Sequence, residues 1–123
     1  EEIICHVDPD QIQQIVLNLL HNAVHAIPGP GWIRMGVSTV DDGELIEERI
    51  APPYLVFSVA DSGMGMNEET RSKLFRPFFT TKEDGNGLGL ATAKKITEAH
   101  GGAMLVESAL GEGTRFDVIL PLT

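Results

Sequence analysis

YLVFSVADSGMGM, residues 54–66, changes character at Asp61. Tyr54–Ala60 is a nearly continuous apolar run, short enough for a strand and too apolar for a strand with one wet face. It reads as a central strand of a sheet. Asp61 follows at once, and glycines then alternate at Gly63 and Gly65. A carboxylate in that place can accept a hydrogen bond from an exocyclic amine, and bare backbone lets a flat ring approach. An ordinary strand-to-loop turn with an aspartate cap uses the same residues. The stretch alone leaves both readings open.

Upstream, DPDQIQQIVLNLLHNAVHAI (8–27) reads as a long helix. Asp8 is a good N-cap, Pro9 suits the first helical position, and Gln11 sits where a capping-box partner would. Ile12, Ile15, Val16, Leu19, Ala23 and Ile27 recur at helical spacing, and the PGPG of residues 28–31 ends the run. WIRMGVSTV (32–40) reads as a strand, DDGELIEERIAPP (41–53) as an acidic hairpin loop, and EEIICHV (1–7) as a β-prone edge strand. Downstream, NEETRSKLF (67–75) reads as a short helix capped by Asn67. RPFFTTKEDGNG (76–87) reads as a loop, and LGLATAKKITEAH (88–100) as a second long helix. AMLVESA and TRFDVILPL read as strands joined by LGEG. Strand pairs at both ends of a helical middle predict a two-layer α/β sandwich, a mixed sheet with helices on one face. Several connections are too short for the crossovers of a doubly wound parallel sheet.

The totals agree with one domain over residues 1–123. The chain is 42% hydrophobic and carries a formal net charge of −9. That charge repels nucleic-acid phosphates, so no nucleic-acid partner is expected. The longest apolar runs fall far short of a membrane span, no secretory signal opens the chain, and no direct membrane contact is expected. The single cysteine, Cys5, excludes an internal disulfide and any multi-cysteine metal site, and reads as a small apolar residue rather than a catalytic thiol. A reducing, cytoplasmic setting follows. Residue 1 is Glu rather than Met, so a fragment of a longer, potentially membrane-anchored, chain is expected.

Three further patterns carry chemistry. In the first helix Gln14, Asn18, Asn22 and His25 fall on one narrow stripe, and no side chain after Asp10 is a formal charge. Solvated faces favour Glu, Lys and Arg. An amide stripe is either such a face or the wall of a site whose oxygens suit Mg²⁺. Gly85, Gly87 and Gly89 open the second long helix, where free N–H groups and the helix dipole favour phosphate, or where glycines make a hinge. Neither the P-loop nor the dinucleotide fingerprint fits. Phe75, Phe78 and Phe79 beside those glycines suggest a moving lid or a loop pinned to the core. Lys82 is either a phosphate contact or a solvated lysine.

The order of these patterns is specific. An amide helix, Asp-x-Gly-x-Gly, a phenylalanine segment, Gly-x-Gly-x-Gly and then Gly-x-Gly-Thr (Gly111, Gly113, Thr114) resemble the N, G1, F, G2 and G3 boxes of the catalytic ATP-binding domain of sensor histidine kinases. Those belong to the superfamily shared with DNA gyrase, heat-shock chaperones and mismatch-repair ATPases. The resemblance runs from Asp8 to Pro121.

It implies ATP and Mg²⁺ as cofactors, held between the helical layer and a mobile lid. Asn22 is the implied metal ligand, and Asn18 lines the same site. Asn18, Asn22 and Lys82 are the implied catalytic residues. Asp61 is implied to receive the adenine amine, with Gly63 and Gly65 shaping the pocket and Thr114 beside them. Gly85, Gly87 and Gly89, with Leu88 and Leu90, are implied along the phosphates, and Phe79, Thr80, Thr81 and Lys82 on the nucleotide from the lid. His25 stands where the family often has Lys or Arg, which makes a phosphate contact there weaker and pH-dependent.

Hydrolytic relatives carry a Glu one turn before the metal-binding Asn, and here that position is Asn18. The resemblance therefore implies phosphoryl transfer to a histidine on a separate dimerisation domain, with a response-regulator receiver domain downstream. An ATP-dependent serine protein kinase, a nucleotide-sensing module without phosphotransfer and an ATPase-driven clamp are the alternatives. The phosphoacceptor motif is not in the chain. His6, His21, His25 and His100 are not its counterparts, and His100 reads as a cap or packing residue. The five residues between Phe79 and Gly85 resemble nitrogen-regulation and sporulation-type kinases.

Overall fold

The computed structural model describes residues 4–76 and 89–122. The first helix, α1, spans Pro9–Ala26 and is capped by Asp8, whose side chain accepts from the N–H groups of Asp10 and Gln11. A capping box would also have Gln11 reach back to the Asp8 N–H. That N–H is instead given to His100 Nε2, 3.1 Å away, while His100 Nδ1 donates to the Ile96 carbonyl at 2.9 Å. His100 thus joins the start of α1 to the end of α3 (Gly89–Ala99), as a packing and capping residue.

The sheet contains β1 (Ile33–Val40), β2 (Tyr54–Asp61), β3 (Ala103–Ala109) and β4 (Gly113–Pro121), in the order β1-β2-β4-β3. A short helix, α2 (Glu68–Lys73), follows β2 and is capped by Asn67 through the Thr70 N–H. α1 and α3 pack on the same side of the sheet, giving the expected two-layer sandwich. Two details differ from expectation. First, the sheet is antiparallel throughout rather than mixed. The helical connection does carry the chain from β2 to β3 in the same direction, but β4 folds back as a hairpin partner of β3 and takes the place between them. Among the described residues no two parallel strands become neighbours. Second, residues 4–7 form no strand. Cys5 and Val7 pack on the core instead, and the Cys5 thiol donates to the Pro121 carbonyl at 3.7 Å. Burial pushes that thiol's pKa up, which suits an inert packing residue.

The core between the layers comprises Ile15, Leu19 and Ala23 of α1, Val59 of β2, Ala93 of α3, Met104 of β3, and Phe116 and Val118 of β4. Full burial of each large side chain contributes about 1.5–3 kcal/mol. On the other face, the 41–53 loop folds over the sheet. Ile50 packs with Tyr54, Ala103 and Ile119, and Arg49 donates to the carbonyls of Gly101 and Gly102.

The registers place Ile33, Asp61, Thr114 and Ser108 side by side across all four strands. Side chains alternate along a strand, so this row shares the helix-facing side with the row one step inward: Met35, Val59, Phe116 and Val106. Three polar residues therefore close one end of the apolar core.

Candidate functional site

That closing row is where Asp61 lies, 3% exposed, with Thr114 at 7% directly opposite. The Asp61 carboxylate accepts the Gly63 N–H at 2.8 Å. Burial raises its pKa above the ordinary value, and backbone N–H bonds from Gly63 and Thr114 pull the other way without cancelling it. A carboxylate has about four lone-pair positions, so these bonds leave acceptor capacity for a further donor.

The loop after Asp61 is held from two sides. Met64 N–H donates to the Ala26 carbonyl at the end of α1, and Gly111 N–H, from the β3–β4 turn, donates to the Met64 carbonyl at 2.8 Å. A side chain at Gly63 would run into the Ala26 carbonyl, and one at Gly65 into the Ala109 carbonyl. Gly65 also has φ +71°, a backbone geometry that favours glycine. Packing of the protein on itself is thus enough to require both glycines.

Ser108 was not singled out by its sequence context, yet it is the most connected side chain here. Its Oγ accepts the Met66 N–H at 2.8 Å, donates to the Gly113 carbonyl at 3.1 Å, and lies 2.9 Å from Thr114 Oγ1. The LGEG stretch is a misleading guide: counting outward from it pairs Ala109 with Thr114, whereas the turn is one residue shorter, pairs Ala109 with Gly113 and so sets Ser108 opposite Thr114.

The amide stripe of α1 is a separate cluster. Gln14 Nε2 donates to Asn18 Oδ1 at 3.2 Å, and Asn18 Nδ2 donates to the Gly89 carbonyl at 2.9 Å. Asn18 is therefore brought to the start of α3, where Gly89 and Leu90 lie, and Asn22 is half-buried one turn further on. His25 turns elsewhere. Its Nδ1 donates to the His21 carbonyl at 2.9 Å, and its ring lies 4.2 Å from that of His21, centroid to centroid. Leu17 and Val24 are 59% and 58% exposed. With Asn18, Leu20 and His21 they line an open groove of about 400 Å³ along α1, a second apolar strip that helical counting of the buried face did not reveal. Phe79, Thr80, Thr81, Lys82, Gly85, Gly87 and Leu88, with the lid expected from them, lie outside the described residues. Among the described residues no three His, Cys, Asp or Glu side chains gather to hold a metal, and no helix is long and apolar enough to cross a membrane.

A family profile described as "Histidine kinase-, DNA gyrase B-, and HSP90-like ATPase" matches residues 7–123. The chain belongs to this ATPase family. Within it, the chain is 45% identical to the sensor histidine kinase ZraS of Klebsiella oxytoca over 94% of its own length and 23% of the relative's. It is 37% identical to sporulation kinase E of Bacillus subtilis over 95% of its length and 14% of that protein's. The chain thus spans less than a quarter of these kinases. Among solved structures, the ATPase-family fold superposes on the catalytic domain of histidine kinase ThkA with a TM-score of 0.75 at 33% identity, covering 97% of this chain and 71% of that one. Full-length ShkA in complex with AMPPNP gives a TM-score of 0.75 at 34% identity, covering 92% of this chain and 22% of that one.

Proposed function

We propose that this chain is the catalytic ATP-binding domain of a sensor histidine kinase. It holds Mg-ATP and delivers the γ-phosphoryl group to a histidine on a dimerisation domain of the same protein. A response-regulator receiver domain then takes the group, in two-component signalling at the cytoplasmic side. The observation that carries this reading is the buried Asp61 carboxylate, partly satisfied and backed by Gly63, in a chain so similar to sensor kinases.

The residues fit the group they would hold. Asp61 keeps lone pairs for the adenine amine, and Thr114 lies beside it. The two ends of the Asn18 amide are engaged by Gln14 and Gly89, which makes Asn22 the better candidate for Mg²⁺. An amide oxygen is a hard neutral ligand, and Asn22 would hold Mg²⁺ through its own, the ion supplying charge neutralisation at the phosphates. Gly89 and Leu90 open α3, where unpaired N–H groups favour phosphate. Of His25, only Nε2 is left to turn toward a phosphate, since Nδ1 is held by His21. Gly85, Gly87, Leu88, Phe79, Thr80, Thr81 and Lys82 remain proposed contacts through the resemblance. When bound, Mg-ATP supplies the phosphoryl donor; the chain supplies base recognition, orientation and metal placement. An amide at Asn18 cannot act as a general base toward water, which favours transfer over hydrolysis.

The test is incubation of the pure chain with γ-labelled ATP, alone and with the dimerisation domain of its parent protein. The expected result is nucleotide binding by calorimetry, no label on the chain itself, and label on the added domain. Robust label on the chain's own histidines would sink the proposal.

A further inference from the structure

Ser108 lies outside every residue assigned so far to nucleotide or metal, and its surroundings constrain it tightly. A serine hydroxyl has one hydrogen to give and two lone pairs to receive with. Its three neighbours claim all of that capacity. The Met66 N–H can only donate, so it takes one lone pair. The Gly113 carbonyl can only accept, so it takes the hydrogen. The third neighbour, Thr114 Oγ1 at 2.9 Å, is free to act either way by itself. With the serine hydrogen already committed, Thr114 has to give its own hydrogen to the remaining lone pair.

The consequence reaches Asp61. Thr114 stands directly opposite Asp61 on the same side of the sheet, and both are buried. With its hydrogen given to Ser108, Thr114 Oγ1 keeps only lone pairs to offer, on the residue paired with Asp61 across β2 and β4. We infer that Ser108 sets the polarity of the nucleobase pocket: it makes Asp61 and Thr114 two adjacent acceptors, a floor that receives a 6-amino purine and rejects its 6-oxo counterpart. Ser108 is a positioning residue that acts through Thr114. The same hydroxyl fastens the loop after Asp61 to the β3–β4 turn through Met66 and Gly113, so pocket polarity and pocket shape depend on one atom. The inference rests on the adenine-nucleotide reading above and deepens it.

The test compares ATP with inosine triphosphate, which differs at the 6-position, by calorimetry on the 123-residue chain. The wild type is expected to prefer ATP. Ser108→Ala leaves the Thr114 hydrogen free to turn into the pocket, and the ATP-to-inosine-triphosphate affinity ratio should fall about tenfold, the scale of one hydrogen bond. Ser108→Thr retains the hydroxyl and should keep the ratio. Thr114→Val removes the acceptor without touching Ser108. It should lower the ratio as well, and should leave Ser108→Ala with no further effect on it when the two are combined. Thr114→Val also carries the test if Ser108→Ala does not fold: an unchanged ratio in that variant overturns the inference. So does a Ser108→Ala chain that loses affinity for both nucleotides equally, because the serine is then only structural. A wild type with no preference for ATP is a different failure, which overturns the nucleotide reading and this inference with it.

Discussion

Asp61 and Asn18 belong to elements packed against each other, β2 and α1, but the fold treats them differently. Asp61 is buried at the end of a polar row, fastened by backbone N–H groups, with a pKa raised by the loss of water. Asn18 is half-buried on a helix face, held by one bond to Gln14 and one to Gly89. A buried charge raises the energy of the folded chain and gains from meeting a matched donor. A half-exposed amide loses little with water beside it and gains little from any one partner. Under the proposed function, this contrast would separate base recognition, set into the sheet, from metal and phosphate handling, set on a helix.

The largest effect expected from this contrast is at Asp61. Asp61→Asn places an amide where an acceptor is required and should weaken ATP binding by about 2–3 kcal/mol, read by calorimetry. The same change removes a buried charge and keeps an oxygen for the Gly63 N–H, so the melting temperature of the ligand-free chain should hold or rise at neutral pH. Unchanged ATP affinity would break the pocket assignment.

Titration should show the same opposition. A carboxyl whose pKa is raised by folding binds its proton more tightly in the folded state. It therefore contributes stability that grows as pH falls from its raised pKa toward the ordinary value of 3.8, and is lost as pH rises through that window. ATP affinity should run the other way and decline as pH falls through the raised pKa, because the protonated carboxyl is a poorer acceptor. Parallel trends in the Asp61 contributions, isolated by subtracting Asp61→Asn, would contradict the assignment.

On the helix side, Asn22→Ala should abolish the gain in ATP affinity that Mg²⁺ gives over EDTA, a change on the order of tenfold, and leave binding in EDTA as it was. Retained magnesium dependence would move the metal off this residue. The smallest effect belongs to Asn18→Ala. Loss of its bond to Gly89 should cost under about 1 kcal/mol of stability in thermal unfolding, and a larger loss would mean that Asn18 works as a structural pin like the Asp61 row.

Much of this was legible in the chain. Asp8 and Asn67 as caps, the buried run Tyr54–Ala60, and the hairpins at both ends of the helical middle follow from local chemistry, because caps and periodicity act within a few residues. The antiparallel character of the sheet was not legible. Where β4 lies between β2 and β3 is settled by which strands share a core, through residues such as Val59 and Phe116 that are far apart in sequence. Residues 4–7 have the composition of a strand, but Cys5 bonds to Pro121, far along the chain, and Cys5 and Val7 pack on the core. In the site, Asp61 and its glycines stood out by type and spacing, whereas Ser108 did not. A serine in a strand is unremarkable until the hairpin register sets it opposite Thr114.

His100 bears on a question special to kinases that write on imidazole. Its Nδ1 is donating to Ile96 and its Nε2 is receiving from Asp8. A phosphoryl group on Nε2 would leave the Asp8 N–H at the start of α1 without its partner, and one on Nδ1 would remove the bond to Ile96 in the last turn of α3. Under the proposed kinase function, the helix junction would keep this ring from serving as a substrate, because both of its nitrogens are already used as a joint between α1 and α3.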